Sequence, residues 1–283
     1  MSSERFHLFQ SLMRRVFRRS HAVVRVNDFD GNLSLHLDLA EHMQRRIFWM
    51  GYYNLRLVAL LNRFLAPGMV VVDVGANIGE VSLVCANRVG TAGRVIAFEP
   101  VNTIADELER NVGGNGLQQV VSVRRQGLAE VAGEFDIYDS CGQHDLDESH
   151  RGLGSLHGDP ASHRVLGRVK IETLDNLAAV LQLKRLDFMK VDIEGGELAC
   201  LKGALQTIAN FSPVIAVEVN ERSAQIAGYR GRDILDLLVP LGYRFLRVEA
   251  HGRLVPISAD ALGDYQDVIC VADRTILAQL MGA

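Results

Sequence analysis

The stretch Val70-Val71-Val72-Asp73-Val74-Gly75-Ala76-Asn77-Ile78-Gly79 decides how this chain folds. An apolar β-branched run ends in an acid, then a glycine, then a second glycine four residues on. Such a run predicts a buried parallel strand, because parallel strands are covered on both faces and stay apolar along their length. The glycines allow a sharp turn and leave room for a ligand against the backbone. From Ile78 onward, Ile78, Val81, Ser82 and Cys85 recur at helical spacing. A helix N-terminus therefore points back at the turn. These features predict a ligand cradle at the carboxyl end of the first core strand.

The second half of the cradle follows in Arg94-Val95-Ile96-Ala97-Phe98-Glu99-Pro100, a second strand closed by an acid and a proline. An acid about 20 residues past a glycine turn typically accepts hydrogen bonds from ribose hydroxyls. The spacing Asp-x-Gly-x-x-x-Gly differs from the Gly-x-Gly-x-x-Gly of nicotinamide enzymes. Fewer glycines suit a ligand with no pyrophosphate to lay against the backbone, and S-adenosylmethionine fits that description. Read structurally, Asp73 is a helix cap and Glu99 a solvated strand end. Two acids flanking one glycine turn, each after a buried strand, favour the cradle.

Outward from the cradle, strands and helices alternate. Val120, Val121 and Val123 predict a third strand, and Glu134 to Tyr138 a short one. Residues 139–168 read as one long polar loop with His144, His150, His157 and His163, none at metal-ligand spacing. Long loops inside compact domains are usually functional, so an active-site lid is expected here. The core resumes at Leu186-Asp187-Phe188-Met189-Lys190-Val191-Asp192-Ile193-Glu194-Gly195-Gly196-Glu197, followed by a strand at Val214–Val219. Two closely spaced strands near 243–248 and 267–271 suggest an antiparallel edge hairpin. The whole predicts an α/β doubly wound, mostly parallel sheet. Residues two apart in a strand face one side, so Lys190, Asp192 and Glu194 would line up if the strand runs that far. A lysine among carboxylates can tune one of them toward a general base. The structural alternative is an ion pair that holds the strand end.

Upstream, Leu33, Leu35, Leu37 and Leu39 alternate after the turn-rich Asn27–Asn32, a hairpin with one buried face. Residues 5–19 form a basic amphipathic pattern, with Phe6, Phe9, Leu12, Met13, Val16 and Phe17 against Arg14, Arg15, Arg18 and Arg19. Such a helix can lie on an anionic membrane surface. Packing on the protein's own body, or on a second copy in a homodimer, is the favoured reading. Pro67-Gly68 separates this 1–66 helix and hairpin extension from a 67–283 catalytic domain. Net charge is −4, so no global field favours nucleic acid. Four cysteines stand far apart without a Cys-x-x-Cys, as expected of a reduced compartment. No membrane-spanning run or signal-peptide core is visible, and a cytoplasmic location is expected.

These residues carry a resemblance. Val71 to Gly79, Phe98-Glu99-Pro100, Thr173-Leu174-Asp175, Phe188 to Glu197 and Leu201-Lys202-Gly203-Ala204 together resemble FkbM-type S-adenosylmethionine-dependent methyltransferases. The similarity covers roughly residues 50–272 in motif order. It implies a class I methyltransferase fold, Rossmann-like, and methyl transfer to a hydroxyl of a sugar, glycan or natural product. It implies that Asp73, Gly75, Asn77 and Gly79 wrap the methionine and ribose, that Glu99 holds the ribose hydroxyls, and that Gln126, Gly127 and Leu128 flank the adenine. Asp192, helped by Glu194 and Lys190, would position or deprotonate the acceptor. One departure is Gly127-Leu128-Ala129, where the family tends to have Ala-Leu-Ser. A nicotinamide-dependent oxidoreductase, a nucleic-acid methyltransferase and a non-catalytic binding module are the competing readings. The absent third glycine, the acidic balance without a Pro-Pro pair, and the intact acids at four strand ends count against them in turn.

Overall fold

A computed structural model describes residues 22–139, 154–158, 163–249 and 252–282. The amphipathic pattern at 5–19, Cys141, His144 and His150 lie outside them. An antiparallel hairpin comes first, β1 (Val23–Phe29) and β2 (Leu33–Asp38), then α1 (His42–Met50) and α2 (Leu55–Phe64). Strands and helices then alternate through β3 (Val70–Val74), α3 (Glu80–Val89), β4 (Arg94–Phe98), α4 (Asn102–Gly114) and β5 (Val121–Arg124). A β-rich insertion follows, with β6 (Gly127–Leu128), β7 (Gly133–Asp139), β8 (Gly154–Ser155) and β9 (Val165–Glu172). The alternation resumes with α5 (Leu174–Val180), β10 (Phe188–Val191), α6 (Glu197–Lys202), α7 (Leu205–Phe211), β11 (Val214–Asn220), α8 (Glu221–Ile226) and α9 (Gly231–Leu238). The last elements are β12 (Arg244–Val248), β13 (Leu254–Ile257), β14 (Tyr265–Val271) and α10 (Arg274–Gly282).

The main sheet has the order β13-β12-β14-β11-β10-β3-β4-β5. From β11 to β5 every pair is parallel. β14 lies antiparallel between β11 and β12, and β13 pairs antiparallel outside β12. The expected doubly wound, mostly parallel sheet is therefore present, with β12 and β14 as its antiparallel pair. β13 is an addition that the sequence reading did not contain.

Strand side chains alternate between two apolar layers, as a pleated sheet requires. Val71, Val95, Ala97, Phe188 and Val214 meet Leu83 and Leu108 on one face. Val72, Val74, Ile96, Phe98, Met189 and Ile215 meet Leu174, Leu201, Ile208 and Leu235 on the other. Burying each such large side chain contributes roughly 1.5–3 kcal/mol.

The hairpin belongs to the first of these layers. Leu35, Leu37, Leu60 and Leu61 are fully buried in the same core as Leu83 and Leu108. Alternation explains the choice of face, since Leu33, Leu35 and Leu37 are buried while Ser34, His36 and Asp38 are only half-buried. The far edge of β2 is closed by amide side chains one helical turn apart, Asn111 on α4 and Asn115 at its C-terminal cap. Ser34 N donates to Asn115 Oδ1 at 2.7 Å, Asn115 Nδ2 donates to Ser34 O at 2.7 Å, and His36 N donates to Asn111 Oδ1 at 2.9 Å.

The reading of 139–168 as one loop is corrected by the strands within it. β9 already begins at Val165, and Ser155 of β8 pairs with Tyr138 of β7. These strands form a second sheet of order β6-β9-β7-β8. Its core is small, with Val169 and Ile171 as the two fully inward residues of β9. So short an alternation, interrupted by Gly167, carries a weak strand signal.

Candidate active site

A cavity of about 320 Å³ opens at the carboxyl ends of β3, β4, β10 and β11. β3 lies between β4 and β10, the point where the sheet winds in opposite directions and where ligands of such sheets bind. The small sheet supplies one wall through Leu128, Ile137, Gly154 and Ile171. The segment around α1 and α2 supplies another through Glu41, Met43, Tyr53 and Leu57.

At the β3–β4 end, the chain turns at Gly75, which has φ +77°. A Cβ there would come within 2.0 Å of the Asp192 carbonyl oxygen, so only glycine fits. Gly75 N and Ala76 N donate to Phe98 O at 3.1 and 3.0 Å, tying the turn to β4. Asn77 continues the turn in the left-handed region, with φ +50°. Its backbone N–H donates to Glu99 Oε2 at 3.0 Å, and Val101 N donates to Glu99 Oε1 at 3.0 Å. Glu99 faces the cavity and is 5% exposed. Burial pushes its carboxyl up to about 7, against the two N–H bonds that favour the carboxylate.

At the β10–β11 end, Lys190, Asp192, Glu194 and Glu218 all line the cavity. β10 stops at Val191, so the three residues two apart do not share one strand face. Asp192 follows the strand, and Glu194 sits in the next turn with φ +51°. Lys190 Nζ donates to Gly75 O at 2.7 Å and lies 3.6 Å from Asp73 Oδ1 and 3.4 Å from Asp192 Oδ2. Burial works against that ammonium, yet Asp192 and then Asp73 hold it above the usual lysine range. Lys190 is thus a clamp between the first turn and the acids. Burial, then the Asp192 and Glu197 charges, push Glu194 up to about 7. Tyr265 Oη donates to Glu218 Oε1 at 2.6 Å, and burial with the Asp192 and Glu194 charges raises Glu218.

Not every expected residue reaches the cavity. Gly75, Asn77, Glu99, Gly127 and Leu128 line it together with Lys190, Asp192 and Glu194. Asp73 lies beneath the turn, fully buried, accepting from Ser82 Oγ at 2.6 Å and facing Lys190. Gly79 caps α3 with φ +98°, where a Cβ would meet Leu108 Cδ1 at 2.6 Å. Gln126 stands in the turn between β5 and β6. These three are outside the lining. Residues that the sequence reading did not place in the site include Glu80 and Tyr53. Glu80 is 6% exposed, accepts Tyr53 N at 2.5 Å, and is pushed up to about 7 by burial. Its signal was hidden, because an acid in a first helical turn reads as a dipole partner. Glu197 closes the run that contains the acid cluster. It pins the 193–195 turn, accepting Ile193 N at 2.9 Å and Gly195 N at 3.0 Å. Ser155 Oγ donates to Glu194 O at 2.6 Å, so the insertion touches this end directly.

Cys85, Cys200 and Cys270 are buried free thiols, as their apolar settings suggested. No helix among the described residues is long and apolar enough to cross a membrane.

Residues 73–245 match the methyltransferase FkbM domain. AMB antimetabolite synthetase AmbE of Pseudomonas aeruginosa is 28% identical over 81% of this chain and 11% of its own length. Methyltransferase sdnD of Sordaria araneosa is 32% identical over 47% of this chain and 59% of its own. Hexuronic acid methyltransferase AglP of Haloferax volcanii is 29% identical over 59% of each. The chain thus spans under two thirds of the length of these relatives.

Proposed function

This chain belongs to the methyltransferase FkbM family, and from that premise we propose that it transfers a methyl group from S-adenosylmethionine to a hydroxyl oxygen of a sugar-containing or other natural-product acceptor. The observation that carries the reading is that Glu99 and Asp192 face one cavity from the ends of β4 and β10, on either side of β3. The likeness to sdnD and AglP supports the acceptor class.

The residues fit the cofactor. Glu99, fixed by the Asn77 and Val101 N–H groups, suits a ribose diol, and Val101, Leu128 and Ile137 add apolar wall for a purine. Gly75 and Asn77 line the turn that would hold the remainder. Asp73 supports that turn from beneath through Lys190. When bound, S-adenosylmethionine supplies a methyl carbon on a sulfonium, whose carbon–sulfur bond breaks with its electron pair left on sulfur as the acceptor oxygen bonds to carbon. Asp192 orients the acceptor hydroxyl and takes its proton, and Glu194, poised near 7, is the second carboxylate able to carry it. Placing the hydroxyl in line does much of the work, because held geometry lowers the barrier independently of base strength.

Thermal stabilisation by S-adenosylhomocysteine but not by NADH tests the cofactor. Methyl-labelled S-adenosylmethionine incubated with a fractionated small-molecule extract tests the transfer. Stabilisation by NADH alone would point to hydride transfer and remove the proposal.

A further inference from the structure

The acid-lined end of the cavity gathers three carboxyl groups, Asp192, Glu194 and Glu218, around one lysine. The β10–β11 pairing ends at Val191 and Val217, so Asp192 and Glu218 are the next residues on neighbouring strands, side by side. Glu194 joins them from the next turn. Among the described lining residues the basic groups are Lys190 and His42. Lys190 is shared between Asp73, Asp192 and the Gly75 carbonyl. Glu194 has a hydroxyl neighbour, Ser223 Oγ at 3.4 Å, and Glu218 has the Tyr265 hydroxyl at 2.6 Å. Glu218 is only 7% exposed and lines the cavity, and its Oε2 has no hydrogen-bond partner among the described residues. Tyr53, on the α1–α2 wall, has its hydroxyl held above the usual range by burial and then by the Asp192 charge, against Arg46 stacked on its ring and with smaller contributions from Glu218 and Glu194. An unpartnered carboxyl oxygen on a largely buried side chain that faces an acid-rich cavity is an acceptor waiting for a donor.

Resting on the methyl-transfer reading, we propose that this end selects a hydroxyl-bearing acceptor that carries a protonated amine beside the reacting hydroxyl, an amino alcohol of the amino-sugar type. Glu218 Oε2 and Glu194 receive the ammonium, while Asp192 faces the hydroxyl. A carboxylate or phosphate at that position meets a cluster of acids rather than a donor and is disfavoured. Glu218 is here a specificity-determining residue, and it makes no contact with the cofactor end.

The test uses the full chain, methyl-labelled S-adenosylmethionine and a small-molecule extract, half of it first N-acetylated to block amines. The expected result is a labelled product retained by a cation exchanger at pH 7, and loss of most labelling after acetylation. In parallel, Glu218→Gln should raise KM for the labelled fraction about tenfold or more, with S-adenosylhomocysteine affinity unchanged by calorimetry. A labelled product that is anionic at pH 7, labelling indifferent to acetylation, or an unchanged KM in the variant overturns the inference while leaving methyl transfer standing. Absence of label from both halves overturns methyl transfer itself, and this inference falls with it.

Discussion

The two ends of the cavity treat their acids in opposite ways. At the β3–β4 end, Glu99 has both oxygens occupied by backbone N–H groups of its own neighbourhood. At the β10–β11 end, the carboxyl groups of Glu194 and Glu218 are hydrogen-bonded, among the described residues, by the hydroxyls of Ser223 and Tyr265, and Lys190 is already divided between Asp73 and Asp192. The first end is set by the fold and presents one fixed acceptor group. The second is held by side chains and keeps acceptor capacity in reserve. A constant ligand suits the first arrangement, and a variable one the second.

The sharpest way to break this comparison is Asp192→Asn. If the β10–β11 end serves only the acceptor, turnover should fall about 10²–10⁴-fold, the usual range for a lost general base. S-adenosylmethionine affinity should stay near the parent value. Calorimetry and initial rates, with the acceptor in hand, separate the two, and a variant that binds the cofactor poorly would merge the ends into one site.

Lys190→Met is next in size. Asp73 is fully buried, and Lys190 is its ion-pair partner. Breaking a buried pair from one side typically costs about 3–5 kcal/mol. Urea unfolding should register a loss of that order even without ligand. Unchanged stability would return Lys190 to a purely catalytic role.

Glu99→Gln sharpens the other half. Removing a charged partner of the ribose should weaken S-adenosylhomocysteine binding by roughly 1.5–3 kcal/mol, about tenfold to a hundredfold. Glu218→Gln should leave that affinity alone. Equal losses in both would show that the ends are not independent.

The smallest effect is in pH. A carboxyl raised to about 7 is largely protonated below that value, and binding the ribose needs the carboxylate. Affinity for S-adenosylhomocysteine should therefore fall about tenfold as pH drops from 8 to 6, since one proton must leave per ligand bound. Glu99→Gln should flatten this profile, and a slope that survives the substitution would assign the proton to another acid such as Glu80.

How much of this was legible beforehand follows the same division. The β3 turn, Glu99 and the Lys190–Glu194 run are local patterns, each readable from a strand, its end and a glycine. Glu218 lies within β11, two residues before its end, and its partnership with Tyr265 depends on β14 lying antiparallel beside β11, with Glu218 opposite Asp267. Tyr53 and Glu80 meet only because α1 and α2 fold back over the first layer. The small sheet hid for a different reason, since strands with two inward residues leave almost no periodicity. Asp73 taught the reverse lesson. Its motif position was plain, yet it is fully buried beneath the turn, against Ser82 and Lys190 and outside the cavity lining.

The close approach of Gly75 to the Asp192 carbonyl has a further meaning. No side chain separates the two ends at that point, and Lys190 adds a second tie through Gly75 O. The spacing between donor and acceptor is therefore a backbone dimension, indifferent to which side chains line the pocket. Under the proposed transfer, exchange of Glu194, Glu218 or Tyr265 alters which acceptor fits while the point of delivery stays put.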